Sequence, residues 1–131
     1  MSDRPSITAT IFPALKFRDA PAAVDWLERA FGFARRAVHP DGGGGIAHAE
    51  LALGNGVVMF GSTRPADPAD PWSTADMGIY VAVDDIDAHY ARAMAAGAEI
   101  VRPLAATSYG AREYSARDLD GHLWSFGTYR P

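Results

Sequence analysis

IYVAVDDIDAHYARAMAAGAEIV, residues 79–101, reads as strand, helix and strand in direct succession. Ile79 to Val83 is a short apolar run rich in strand formers, and Asp84 or Asp85 is placed to accept from the free N–H groups at a helix start. The helix runs from about Ile86 to Ala96, and Gly97 supplies the left-handed residue on which helices end. Upstream, FRDAPAAVDWLERAFGF, residues 17–33, follows the same order. Asp19 is its N-cap, Pro21 sits where a missing N–H is harmless, and Gly32 terminates it. Val24, Leu27 and Phe31, with Ala23, Trp26 and Ala30 beside them, recur at helical spacing and predict a buried face. Asp19 to Gly32 and Asp84 to Gly97 both span 13 positions. Farther along each half a tight-turn dipeptide precedes an apolar run: Asn55-Gly56 before Val57 to Phe60, and Asp120-Gly121 before Leu123 to Phe126. All these landmarks recur at an offset of 65 in a chain of 131 residues, so two copies of one unit nearly fill it.

The remaining strands complete each copy. Ile7 to Phe17 is β-like but interrupted by Pro13, which places it at a sheet edge or at the junction of the units. Phe33 to His39 is a short strand. Asp41 and the four glycines Gly42 to Gly45 form a loop that lacks the lysine of a phosphate-binding loop. Ile46 to Leu53 and Val57 to Gly61 then pair as a hairpin. Glu99 to Leu104, Arg112 to Leu119 and His122 to Tyr129 are the later strands. Each half is β-α-β-β-β. The single domain, residues 1–131, divides into unit one (about 6–61), a proline-rich linker (62–75) and unit two (about 76–129).

Composition bounds the function. The net charge of −4 gives no general attraction to nucleic acid or anionic lipid. The absence of cysteine removes disulfides, thiol nucleophiles and zinc–thiolate sites. No apolar run approaches the roughly 20 residues of a membrane span. Met1 to Pro5 lacks the character of a signal peptide, and the expectation is a cytoplasmic protein.

Residues 17–33 and 79–101, with YGAREYSARDLDGHLWSFGTY (109–129), resemble the vicinal oxygen chelate superfamily, the glyoxalase/bleomycin resistance/dioxygenase proteins. The last stretch is the most specific, and it is similar to the bleomycin-resistance-like and PhnB-like branches. The resemblance implies an α+β fold in which two tandem βαβββ units form cupped, barrel-like mixed sheets with helices packed outside. It also implies a homodimer. Metal-dependent members place His, Gln or Glu at four cup-facing positions on the first and last strands of each unit. Those positions align here with Phe12, Met59, Gly78 and Ser125, and a shift of one residue brings in no imidazole or carboxylate. The implied function is metal-free binding of a small aromatic or cationic molecule, such as an antibiotic or other natural product, with no cofactor. The alternative is a lyase, isomerase or dioxygenase-type enzyme. It would use a metal relocated to His48, Glu50 or His122, or acid–base chemistry by Tyr80, Glu113 or His122.

Individual residues carry paired readings. His48 and Glu50 share a strand face and read as solvated; as metal ligands they need two more. His122 either reaches the cup rim or sits in a watery turn, and His89 belongs to a helix surface or its packing. Trp124 and Phe126 face a helix if Ser125 faces the cup. Tyr80 lines the cup or fills space. Trp72, in the linker, either closes over the cup or packs on a partner chain. Trp26 is core or interface. Tyr109, Arg112 and Tyr114 fall in the segment that, by the resemblance, shapes a binding groove. Arg112 pairs there with an anionic ligand, with Glu113 or with an aspartate of its own fold.

Overall fold

A computed structural model describes residues 9–131. Its elements are β1 (Ile11–Phe17), α1 (Ala20–Phe31), β2 (Ala34–Pro40), β3 (Ile46–Leu53) and β4 (Gly56–Ser62), then β5 (Met77–Ala82), α2 (Ile86–Ala95), β6 (Glu99–Ala106), β7 (Arg112–Arg117) and β8 (Leu123–Gly127). One turn of 3₁₀-helix, Pro71–Ser73, lies in the linker. The β-α-β-β-β repeat is present in both halves.

The caps act as their residue types dictate. The Asp19 carboxylate accepts from the Ala22 N–H and that of Asp85 from the Ala88 N–H, each at 3.1 Å, a contact that stabilises a helix start by about 1 kcal/mol. Of the two aspartates before α2, Asp85 is the cap. Gly32 and Gly97 take positive φ, 77° and 83°, which other residues adopt only with strain.

The eight strands form one open sheet in the order β2-β3-β4-β1-β5-β8-β7-β6. Within each half the first and last strands are parallel, β1 to β4 and β5 to β8. The halves meet where β1 and β5 run antiparallel. Pro13 therefore lies at the unit junction, on a central strand.

Alternation divides β1 between two faces. Leu15 and Phe17 turn to α1, where Val24, Leu27, Ala49, Leu51 and Phe60 are buried. Each large apolar side chain so covered contributes about 1.5–3 kcal/mol. On the concave face Phe12 packs with Val57, Met59 and Tyr80 to make a floor across both halves. Under α2, Ile86, Tyr114 and Ala116 pack with Tyr90 and Phe126. Phe126 does face a helix, and Trp124 stacks on it at 6.2 Å. Trp26 is 49% exposed and rests edge-on against exposed Phe31, so it is not core.

Candidate functional site

Strand register determines which side chains enter the cup. Ala14 lies beside Met59, and Tyr80 beside Ser125. Across the junction Phe12 pairs with Tyr80 and Ala14 with Gly78. Phe12, Met59, Gly78 and Ser125 thus share the concave face. Phe12 is buried in the floor, and Ala14 takes its place at the surface of a cavity of about 610 Å³.

Unit two holds a chain of hydrogen bonds under the cavity wall. The Trp72 indole lies over Gly78, whose missing side chain makes the room: a Cβ there would collide with the ring. Its N–H donates to the Ser115 hydroxyl at 3.3 Å, and Ser115 meets Ser125 at 3.1 Å. The Ser125 hydroxyl donates to Glu113 Oε1 at 3.0 Å, and the Tyr109 hydroxyl donates to Glu113 Oε2 at 2.8 Å. Tyr109 stands at the rim, 61% exposed, its ring edge-on to Tyr129. Trp72 therefore lines the cup of its own chain.

Unit one holds a buried carboxylate. Glu50 is 1% exposed and pairs across the hairpin with Met59, so it faces the cup. The expected solvated face for His48 and Glu50 is thereby corrected: the hairpin turns that face inward. Glu50 Oε2 accepts from His48 Nε2 at 2.8 Å and from the Tyr129 hydroxyl, while Arg36 Nε lies 3.9 Å from Oε1. Burial alone would raise the Glu50 pKa, but the His48 and Tyr129 hydrogen bonds and the His48 and Arg36 charges outweigh it and hold the carboxyl below its ordinary range. An ionised Glu50 only accepts, so the His48 Nε2–H is the donor of this bond. His48 lines the cavity and stacks on His39. The Tyr80 hydroxyl donates to the Tyr129 carbonyl; burial pushes its pKa up, so it stays protonated as a donor.

Two expected groove residues lie elsewhere. Arg112 points to the outside, where its guanidinium grips Asp87 of α2 through two bonds of 2.8 and 2.9 Å. Tyr114 is 1% exposed beneath α2, hydrogen-bonded to His89 Nδ1, and burial pushes its pKa up to about 12. Alternation along β7 sends Glu113 and Ser115 into the cup and these two away from it. His122 is 72% exposed in its turn, bonded to Asp118, and does not line the cavity.

Residues 13–126 match the model of the Glyoxalase/Bleomycin resistance protein/Dioxygenase superfamily. The chain belongs to that superfamily. An uncharacterised protein of Mycobacterium tuberculosis is 30% identical over 93% of this chain and 75% of its own length. Among solved structures, a superfamily member from Vibrio splendidus 12B01 is 21% identical, with TM-score 0.71 over 89% of this chain and 96% of that one. Methylmalonyl-CoA epimerase from Mycobacterium tuberculosis is 17% identical, with TM-score 0.70 over 98% and 93%. These likenesses are to the fold.

The metal site that the superfamily implies can be tested against this cup. The four aligned positions, Phe12, Met59, Gly78 and Ser125, share the concave face with their neighbours Ala14 and Tyr80. None offers the imidazole or carboxylate that a divalent ion takes from protein. Among the described residues no three His, Asp or Glu side chains converge on one point. The donor set does not fit.

Residues that the sequence reading passed over complete the lining. Lys16 shares its face with Phe12, Arg64 comes from the linker, and Arg102 from β6. Strand alternation alone would have marked Lys16.

Proposed function

We propose that the cup binds a small, flat organic molecule directly, with no metal between protein and ligand, and that the protein sequesters or carries a natural product of that kind. One observation carries this reading: the four aligned cup positions, Phe12, Met59, Gly78 and Ser125, and their same-face neighbours Ala14 and Tyr80, carry no imidazole or carboxylate. They offer van der Waals surface and hydroxyls where metal-dependent members offer ligands. The cavity volume lies within the roughly 300–1,000 Å³ typical of small-molecule sites. Trp72, Tyr80, Tyr109 and Tyr129 supply aromatic surface, worth about 0.5–1.5 kcal/mol per good ring pair beyond simple burial. Trp26 and Phe31 give a second copy of the chain an apolar patch on α1, and a homodimer is part of the proposal. Sedimentation of wild type and Trp26→Ser checks it.

The test is a thermal-shift and calorimetric titration with planar aromatic compounds. Binding to wild type that weakens at least tenfold in Trp72→Ala supports the reading, since removing a ring on which a flat aromatic base stacks costs about 1–3 kcal/mol. Affinity unchanged by Trp72→Ala contradicts it.

The His48–Glu50 pair favours a second reading. A buried carboxylate orients an imidazole in the wall of the cavity, which is an arrangement for proton transfer. It predicts exchange of an acidic C–H of a bound carbonyl compound in D₂O, lost in His48→Gln. No exchange across a panel of such compounds would remove it.

A further inference from the structure

The two carboxylates of the cup have protein donors. Glu50 accepts from His48 and Tyr129, and Glu113 accepts from Tyr109 and Ser125. Each carboxylate is thus partnered within the fold. The ammonium group of Lys16 is in the opposite condition. Its Nζ is shut off from solvent and has no hydrogen-bond partner among the described residues. A buried ammonium without an acceptor is among the costliest groups a fold can carry. What this cup lacks is an acceptor.

The groups around Lys16 do not supply one. Asp70 Oδ2 is taken by Arg64 at 2.5 Å, and its Oδ1 by the Trp72 N–H at 3.0 Å. Arg102 Nη1 stands 3.9 Å from the same carboxylate. Asp76 meets Lys16 through backbone, its carbonyl accepting the Lys16 amide N–H. Asp70 and Asp76 act on the ammonium only through space, against the charge of Arg64. Burial, with the Arg64 charge, holds the Lys16 pKa below its ordinary value. Lys16, Arg64 and Arg102 all line the cavity, and so does Trp72, whose backbone is tied to Asp70.

The geometry points to an anion subsite: Lys16, flanked by Arg64 and Arg102, receives the carboxylate or comparable oxyanion of a ligand whose flat apolar body lies against Trp72. This rests on the small-molecule reading above and narrows its ligand class to organic anions. It also replaces the expectation of a cationic ligand with an anionic one, because the group in the cup that has no hydrogen-bond partner among the described residues is a cation. An anion entering the cup gives the Lys16 N–H groups their acceptor, and it competes with Asp70 for the two arginines.

Three probes of one shape test this by calorimetry on the full chain: naphthalene-2-carboxylate, naphthalene-2-carboxamide and 2-naphthylmethylammonium. The carboxylate is expected to bind at least about tenfold more tightly than the carboxamide, as hydrogen bonds to charged groups allow, with the ammonium weakest. Lys16→Met should bring the carboxylate and carboxamide affinities together, while Arg29→Gln, which removes an exposed cation on α1, should keep them apart. If Lys16→Met does not melt cooperatively, Arg64→Gln carries the same test and should narrow the same ratio. Binding of all three probes without charge preference, or a preference that survives both cup variants, overturns the anion subsite and leaves the small-molecule reading standing. Failure of all three to bind wild type at millimolar concentration overturns both.

Discussion

The two halves of the cup share a topology and differ in what they bury. Unit one packs a charged cluster behind its wall, with Glu50 held by His48, Tyr129 and Arg36. Unit two has small residues around its side of the cup, Gly78, Ser115, Ser125 and Gly127, and fills the space with aromatic rings from the linker and from β5. Trp72 lies on Gly78, and the Tyr80 ring crowds Gly127. The fold therefore fixes positions around the cup without fixing their chemistry. One half is made rigid by ionic hydrogen bonds, and the other is shaped by aromatic rings docked on glycine.

This contrast can be broken from either side. The largest effect is expected from Glu50→Ala. It removes the carboxylate that His48 and the Tyr129 hydroxyl donate to and that balances the nearby Arg36 charge, and loss of one partner of a buried ionic cluster costs about 3–5 kcal/mol. Glu113→Ala, at a half-buried side chain, should cost about 1–2 kcal/mol, the worth of its two hydrogen bonds from Ser125 and Tyr109. Urea unfolding of the two variants measures the difference, and equal losses would remove the asymmetry.

Next comes Gly78→Val. The added side chain must expel the Trp72 ring or strain the strand, at about 1–3 kcal/mol. Tryptophan emission should shift to the red as the indole leaves the cup, and affinity for planar ligands should fall with it.

A pH series sharpens the unit-one half. The folded Glu50 carboxyl lies below its ordinary value, so its contribution is complete above that value and is lost as pH falls through the folded pKa. The stability gap between wild type and Glu50→Gln should therefore be widest near neutrality and shrink in acid. A gap that widened in acid would mean the carboxyl is held protonated. The smallest effect is Trp26→Ser on the half-exposed outer face of α1, about 1 kcal/mol or less in the thermal melt at low concentration.

Why the fold and part of the site were legible in the sequence is clearest in the two hairpins. In unit one the loop residues are Gly54 and Asn55, with Leu53 paired to Gly56, so the turn lies one residue before Asn55-Gly56. That displacement moves the register by two and leaves every side chain on its expected face. Glu50 opposite Met59 was within reach of the same reasoning. In unit two a two-residue turn at Asp120-Gly121 would pair Arg117 with Trp124. The chain instead bulges over 118–122, where Asp118 Oδ1 accepts from the backbone of Asp120 and of His122, and Arg117 pairs with Leu123. An odd shift exchanges the two faces of a strand. With this register Glu113 and Ser115 enter the cup, and Arg112 and Tyr114, which the resemblance placed in the groove, lie on the helix side. Trp72 had no local pattern to place it, because its seat combines Gly78 of β5 with Ser115 of β7, which only the folded sheet brings together.

The central claim is that this cup holds its ligand without a metal, and metal stoichiometry tests it most directly. The protein, purified without a histidine tag, is incubated separately with nickel, manganese, iron(II) and zinc, desalted, and its bound metal measured per subunit. The account predicts a ratio near zero for all four. A reproducible ratio near one per cup would contradict it and would assign the cup to metal-dependent chemistry.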